Sequence, residues 1–593
     1  MDKSPISSLT LNYISLWSIG LMCFMPFILM THSMPITTFY QEWLAGALGL
    51  ISMLAFLGNR NFKIIHIPKI SFIFVGLAGI ICAQWALGML HSSQYAQLVL
   101  SYFLWAFLLT ILGSHLKRTL GWEKIATTIS WFFILGGIAN VGIVSLQIAV
   151  NCGINIPYLP ATDSYGAMAQ SNHFADYISL TIGSLFYLFA KDKIGRFHFG
   201  GLLVLFTTLL AFSGSRSSWF YLVAITILAA SLKMFAPSSE HAKKLRATCI
   251  WLLPLFAAIQ IMLHLVLPDY LIDLPTEEII KQASEKSPTL RMQIWLDSFY
   301  IFTQSPWLGI GTGQLRWQSY LLLDSSVTVQ VNKVYEHAHN IFLHLAVEMG
   351  LLAPMLLLAG LIIWLKKFSM CAPDIEKWWC IALLSVIGIH SMLEYPLWFS
   401  FFLGITAFLF GAADENIKTI TFENRGYQTL RMTFVGVVLV GAMNLTTMFV
   451  AYYKIEYWLI KTMQTKINPS EVNEYTKTLT WIHNHTLLAP YAEFTLAITT
   501  DLNLINSKNI EAKLWLNKSA LNFAPNNITA YKQAILLLIN GNYDAAALAL
   551  KRALLAFPEK QEVITSYVPS EDLDEFRDLL QDVEKQIALL PQR

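Results

Sequence analysis

Apolar stretches long enough to cross a bilayer recur from about residue 11 to about residue 451, and no other feature constrains the fold so strongly. Hydrocarbon offers a bare peptide group no hydrogen bonds, so such stretches cross as helices that satisfy their own backbone. Thirteen are expected, over 11–31, 41–57, 70–90, 95–116, 124–150, 172–190, 198–213, 217–234, 247–267, 341–364, 378–393, 396–412 and 432–451. Composition agrees: 55% of the 593 residues are hydrophobic and 13% charged, where soluble domains carry about a quarter charged. The net charge of +2 says nothing about nucleic acid, and no basic run suggests such a partner.

Cations in the connecting segments set the orientation. Alternate loops hold Arg60, Lys63 and Lys69; Lys117, Arg118 and Lys124; Lys191, Lys193 and Arg196; Lys233, Lys243, Lys244 and Arg246; Lys366, Lys367 and Lys377; and Lys418, Arg425 and Arg431. The short loops of the other set hold only Arg216. By the positive-inside rule the N-terminus is cytoplasmic and the C-terminal region is exported. The first stretch lacks an A-x-A-like cleavage site and is too long for a signal-peptide core, so it is expected to be retained. Cysteines at 23, 82, 152, 249, 371 and 380 form neither a disulfide framework nor a C-x-x-C pair.

The expected fold is all-α: nine spans in 1–267, a large exported loop over 268–340, four spans in 341–451 and an exported helical tail over 452–593. Helical periodicity in LRMQIWLDSFYIF and the turn-rich PWLGIGTGQ predict a folded loop. In the tail, Ala520-Leu-Asn-Phe-Ala-Pro525 recurs as Ala553-Leu-Leu-Ala-Phe-Pro558, a period of 33, with Gly541-Asn-Tyr-Asp-Ala545 between them as a break. That spacing resembles a tetratricopeptide unit with a partial neighbour, a stack of helices that binds peptide; a helical cap over the membrane region is the alternative.

Candidate chemistry gathers at one membrane face. His337 and His339 stand where a polar loop becomes apolar, and ionisable groups there are costly unless they pair or work. A neutral imidazole suits proton abstraction from a hydroxyl near neutral pH. Gln170, Asn172, His173 and Asp176 enter the sixth span, Arg216 lies in the hairpin SGSRSSW, Arg291 in the long loop, and Glu394 and Tyr395 follow the eleventh span. Two guanidinium forks suit a pyrophosphate. The plainer readings are a snorkelling anchor for Arg216, a solvated loop residue for Arg291 and an interfacial belt pair for Glu394 and Tyr395. His337 and His339 beside Glu336 lack a third strong metal ligand, so no metal site is expected, and neither a P-loop nor a D-x-D pair occurs.

His337-Ala-His339-Asn340, an apolar run and then Glu348-Met-Gly350 resembles the signature of the Wzy/O-antigen-ligase superfamily; Ala353 departs from the family's usual Gly, Thr or Tyr. PITTFYQEW, QSNHFADY, SGSR, LEYPLWF and the tail together resemble the PglL-type protein O-oligosaccharyltransferases, over about 30–560. The resemblance implies a bacterial inner-membrane enzyme acting at the periplasmic face, with undecaprenyl-pyrophosphate-linked glycan as donor and a serine or threonine of a pilin-like or other exported protein as acceptor. It implies functional roles for His339, Gln170 and Tyr395, pyrophosphate binding by Arg216 and Arg291, and no metal or other cofactor. His337, Asn340, Asn172, Glu394 and Glu348 are expected to support the site, with Asn340 capping the helix that follows. An O-antigen ligase acting on lipid A core and an O-antigen polymerase share this chemistry. A lipid-glycan flippase would instead place ionisable groups at mid-bilayer depth.

Overall fold

The computed structural model describes residues 7–58, 64–156, 165–168, 170–236, 238–267, 274–277, 279, 290–324, 333–369, 374–464, 468, 470–499, 509–558, 568 and 572–588. The membrane-rich part runs α1 (Ser8–Met22), α2 (Phe39–Leu57), β1 (Ile64–Pro68), α3 (Phe72–Ala86), α4 (Ser93–Leu120), α5 (Trp122–Asn151), α6 (Ser171–Ala190), α7 (Arg196–Phe212), α8 (Ser217–Phe235), α9 (Glu240–Cys249) and α10 (Leu252–Val266). There follow α11 (Leu290–Gln304), α12 (Leu315–Leu322), α13 (Ile341–Met349), α14 (Leu352–Ser369), α15 (Ile375–Ser391), α16 (Ser400–Ala413), β2 (Ile417–Thr421) and α17 (Asn424–Gln464). The tail adds α18 (Val472–His485), α19 (Ala489–Thr499), α20 (Ile510–Phe523), α21 (Asn527–Ile539), α22 (Tyr543–Ala556) and α23 (Leu573–Ala588).

The chain is thus mostly helical, as expected. Among the described residues, eight helical stretches are long and apolar enough to cross a membrane: Ser8–Phe27, Phe39–Leu57, Lys69–Ala86, Ser93–Leu120, Trp122–Asn151, Ser217–Met234, Glu240–Val266 and Gln428–Gln464. The expected spans at 172–190, 198–213, 378–393 and 396–412 coincide with α6, α7, α15 and α16; the last three are shorter, at 17, 17 and 14 residues. The expected span at 341–364 is not one helix. It breaks at Gly350, whose φ of 75° only glycine adopts at little cost, so α13 and α14 are separate.

Two compact units emerge, each assembled from separated segments. The first comprises Met1–Gly76, Tyr102–Ser287 and Leu356–Leu445. At its centre α6 is buried along nearly its whole length, packed by α5, α7, α8, α9 and α15. Its cation-rich loops are stitched to one another. Lys191 Nζ lies 2.8 Å from Glu376 and 3.3 Å from Glu123, Lys193 Nζ 3.0 Å from Glu123, and Lys117 Nζ 2.5 Å from Glu415. β1 and β2 pair antiparallel from Ile64 against Thr421 to Pro68 against Ile417. Loops that touch in this way lie together at one end of the unit's helices.

The second unit comprises Leu77–Ser101, Pro288–Met355 and Thr446–Arg593. One hydrophobic core runs through it. Ile301 of α11, Leu315 and Tyr320 of α12, and Val347 of α13 are buried together with Tyr531 and Ile535 of α21, Leu550 of α22 and Phe576 of α23. Arg552 Nη2 adds an ion pair, 3.0 Å from Asp324 Oδ2. The recurring hexapeptides close α20 and α22 with matching bonds: the Ala524 amide donates to Ala520 O at 2.9 Å, and the Phe557 amide to Ala553 O at 2.8 Å. Gly541, at φ 72°, makes the turn between α21 and α22.

A core shared between loop and tail should fail as one. Leu550→Ala, which empties a fully buried position, is expected to cost about 2–5 kcal/mol. Hydrogen exchange should then quicken in residues 315–323 as well as in α22; quickening confined to the tail would contradict a common core.

Candidate active site

The histidine segment in the second unit is fixed at every turn. Asn340, extended at φ −161°, caps α13 by accepting from the Phe342 and Leu343 amides, both at 3.1 Å. The expected cap forms because an asparagine oxygen satisfies helix donors that otherwise have no intrahelical partner. One residue earlier, His339 has φ 49°. That left-handed backbone is uncommon outside glycine and costs about 1–3 kcal/mol, held only where neighbours over-determine it. Here the Ala338 amide is 3.4 Å from His344 Nδ1. Ser319 Oγ accepts from the Tyr335 amide at 3.1 Å and donates to Tyr335 O at 2.9 Å. Arg316 Nη1 lies 2.8 Å from Glu336 Oε2, and His337 Nε2 3.5 Å from Glu336 Oε1.

Glu348-Met-Gly350 acquires a physical meaning at the other end of α13. The buried Glu348 carboxylate accepts from the Gly313 amide at 2.8 Å and the Leu315 amide at 3.2 Å, and lies 3.3 Å from His344 Nε2. Its backbone oxygen takes the Gly311 amide at 3.1 Å. Gln84 threads the same turn. Its Nε2 donates to Leu308 O and Glu348 O, both at 2.7 Å, while its Oε1 accepts from the Thr312 hydroxyl at 2.9 Å. At Gly350 a Cβ would sit 2.0 Å from Trp307 O, so glycine is required for space as well as for φ. The ring of His337 stands 5.3 Å from that of His344, which links the histidine segment to Glu348. Arg291 is the second residue of α11 and half-buried.

In the first unit, three sequence-separated motifs meet at Asn172. Its Nδ2 donates to Glu394 Oε1 at 3.1 Å, and Ser215 Oγ donates to its Oδ1 at 2.6 Å. Arg216 follows Ser215 at the start of α8, Tyr395 follows Glu394, and Gln170 takes the position before α6. The segment leading to Gln170 is pinned: Gln147 exchanges two bonds with Gly166, at 2.8 and 3.0 Å, Asn140 Oδ1 accepts from the Ala167 amide at 3.3 Å, and His32 Nε2 lies 2.8 Å from Ala167 O. Among the described residues, no group of three or more His, Cys, Asp or Glu side chains is placed to hold a metal ion.

Sequence reasoning passed over several of these supports. Gln84, Asn140, Gln147, His344 and His390 are polar residues inside apolar stretches, and that incongruity is the signal that marks them. His390 Nδ1 lies 2.6 Å from Asp176 Oδ2 with both side chains fully buried, bracing α15 against α6 just inside the Asn172–Glu394 contact.

Comparison with known proteins bears on these two groups. The family described as "O-Antigen ligase" matches residues 201–358, which carry Arg216, Arg291, His339 and Glu348. The family described as "Virulence factor membrane-bound polymerase, C-terminal" matches residues 378–570, from Glu394 and Tyr395 into the tail. Over these segments the chain is similar to the Wzy/O-antigen-ligase superfamily. It is a membrane protein, and within that superfamily its likeness is to the PglL-type enzymes. A General O-oligosaccharyltransferase of Acinetobacter baylyi is 25% identical over 536 residues, 87% of each chain. A ComP-specific O-oligosaccharyltransferase of the same organism is 25% identical over 418 residues, 68% of this chain and 72% of its own.

Two outcomes follow from this geometry. Asn340→Ala should destabilise α13 by about 0.5–2 kcal/mol, with Asn340→Asp largely restoring it, read as thermal unfolding of the purified protein. Acid should also loosen the second unit. Burial, with His344 close by, holds His337 below its ordinary 6.5, and the His337 hydrogen bond and the Arg316 charge hold Glu336 down at about 2. Both folded values lie below the unfolded ones, so each contribution is complete above the unfolded value and is lost as pH falls. The His337 share goes first. The unfolding temperature should drop between about pH 7 and about pH 5, and His337→Gln should flatten that drop.

Proposed function

We propose that the chain is a glycosyltransferase that moves a glycan en bloc from undecaprenyl pyrophosphate to a serine or threonine hydroxyl of an exported, pilin-like protein. The observation that carries the reading is the histidine segment: a strained His339 held between a capping Asn340 and the Ala338–His344 bond. Strain of this kind persists where a side chain must be presented in one orientation. The oligosaccharyltransferase names of relatives matched over 68% and 87% of the chain support the same reading.

In this mechanism the acceptor hydroxyl attacks the anomeric carbon while the bond from that carbon to the phosphate oxygen breaks. The His339 imidazole takes the hydroxyl proton, a contribution of roughly 10²–10⁴-fold. The electron pair leaves with the lipid pyrophosphate, and Arg216 and Arg291 offset the charge that grows there. Gln170 and Tyr395 orient sugar or phosphate, with Asn172 and Glu394 holding their segments. A single displacement inverts the anomeric centre, and no metal takes part. The N-terminus lies in the cytoplasm of a bacterial cell; the reacting residues and the tail lie on the periplasmic side of its inner membrane.

The test is glycan transfer in a host that makes an undecaprenyl-linked glycan, with a pilin-like protein and lipid A core offered in parallel. His339→Ala should lose roughly 10²–10⁴-fold of transfer while still inserting in the membrane. Arg216→Lys should be clearly impaired, because one ammonium cannot reproduce a guanidinium fork. Full transfer by His339→Ala would end the mechanism, and modification of lipid A core alone would make the protein an O-antigen ligase.

A further inference from the structure

Helix α11 is polarised the wrong way round for a helix in water. At helical spacing its outward residues are Met292, Trp295, Leu296 and Phe299, exposed by 53%, 36%, 50% and 57%. Its inward residues include Asp297 and Ser298, exposed by 4% and 0%, beside Ile294 and Ile301. A surface helix normally turns its apolar stripe to the core and its acid to solvent. The reverse pattern means that the outer surroundings are apolar. Trp295, Leu296 and Phe299 stay exposed along this face.

The anchorage of the helix says what those surroundings are. Four residues beyond the end of α11, Leu308 O accepts the 2.7 Å bond from Gln84 Nε2. Gln84 lies two residues from the end of the membrane-length stretch Lys69–Ala86. Leu351, which leads into α14, donates its amide to Pro306 O at 2.8 Å, and Leu351, Leu352 and Met355 are themselves exposed. The segment that follows α11 is therefore fastened to the end of a membrane-length helix and to the exposed apolar start of α14. Trp295 lies within the stripe, and Trp307, 72% exposed, lies just beyond it. Indoles favour the boundary between headgroups and hydrocarbon.

We infer that α11 is an interfacial helix whose outward face rests in bilayer phospholipid. A helix with a continuous apolar face and tryptophan anchors sinks that face below the headgroups and lies along the membrane. Arg291, one residue before Met292 at the edge of the stripe, then stands at headgroup level, where an arginine stem lies in the apolar layer and its charge meets phosphates. The folded exported loop expected from the sequence would, over this segment, lie on lipid.

The test needs no glycan transfer, so it is independent of the proposed reaction. p-Benzoylphenylalanine is placed at Met292, Trp295 or Phe299 of the full-length protein in native membranes, irradiated, and the adducts identified by mass. Leu439 on α17, exposed within a membrane-length stretch, serves as the lipid reference, and Ala512 on α20, exposed in the tail, as the aqueous one. Phospholipid adducts at the α11 positions as at Leu439, and their absence at Ala512, are expected. Adducts only with protein, adducts only with polyprenyl lipid, or none where Leu439 reacts would each overturn the inference: they would make the face a protein contact, a donor-chain groove or a wet surface.

Discussion

The second unit depends on a carboxylate that would not tolerate its surroundings alone. Glu348 is buried, and burying an unpaired charge is expensive enough that a chain without partners for it would not fold that way. Its partners are the Gly313 and Leu315 amides and the imidazole of His344. Those amides belong to a turn that glycines at 309, 311 and 313 bend through positive φ, so the turn supplies donors that a helix or strand would have used internally. The carboxylate thereby ties the C-terminal end of α13 to the turn, as Asn340 fixes its N-terminal end. A nine-residue helix held at both ends is a stiff platform, and His339 sits at its edge. Stiffness of this kind is what the role proposed for His339 would require.

The first unit solves the same problem with neutral and ionic pairs between helices. Asp176 with His390, Glu42 with Tyr102 at 2.6 Å, and Asn172 with Glu394 each join segments distant in sequence. In an apolar medium the alternative to such a partner is no partner at all, so these contacts select one arrangement of helices that are otherwise interchangeable greasy rods.

Much of this was legible in the residues. Apolar length and cation placement located the helices and grouped the loops that ion pairs later joined, because both signals are local and cumulative. Asn340 read as a cap because capping is decided within three residues. The 33-residue period in the tail marked equivalent helix ends because the same buried alanine and the same terminal bond recur. The break at Gly350 was hidden, since its cause, the backbone of Trp307, is more than forty residues away and leaves no trace in hydropathy. The polarity of α11 was hidden for a related reason: a helix with apolar residues on several sides does not declare which side faces in until the core of α12, α13 and the tail is assembled around it. The Asp176–His390 pair was half visible, as two incongruous residues whose partnership only packing reveals.

The two-stranded ribbon has a consequence for how the protein is made. Strand β1 leaves the ribosome some 350 residues before β2, its partner from Ile64–Thr421 to Pro68–Ile417. At about 5–20 residues per second, β1 waits on the order of tens of seconds with its backbone donors and acceptors unmatched. The sheet therefore works as a late clasp: its hydrogen bonds can form only after every membrane helix up to α16 has been synthesised. A chain stalled earlier in synthesis presents an open strand edge in the loop between α2 and α3.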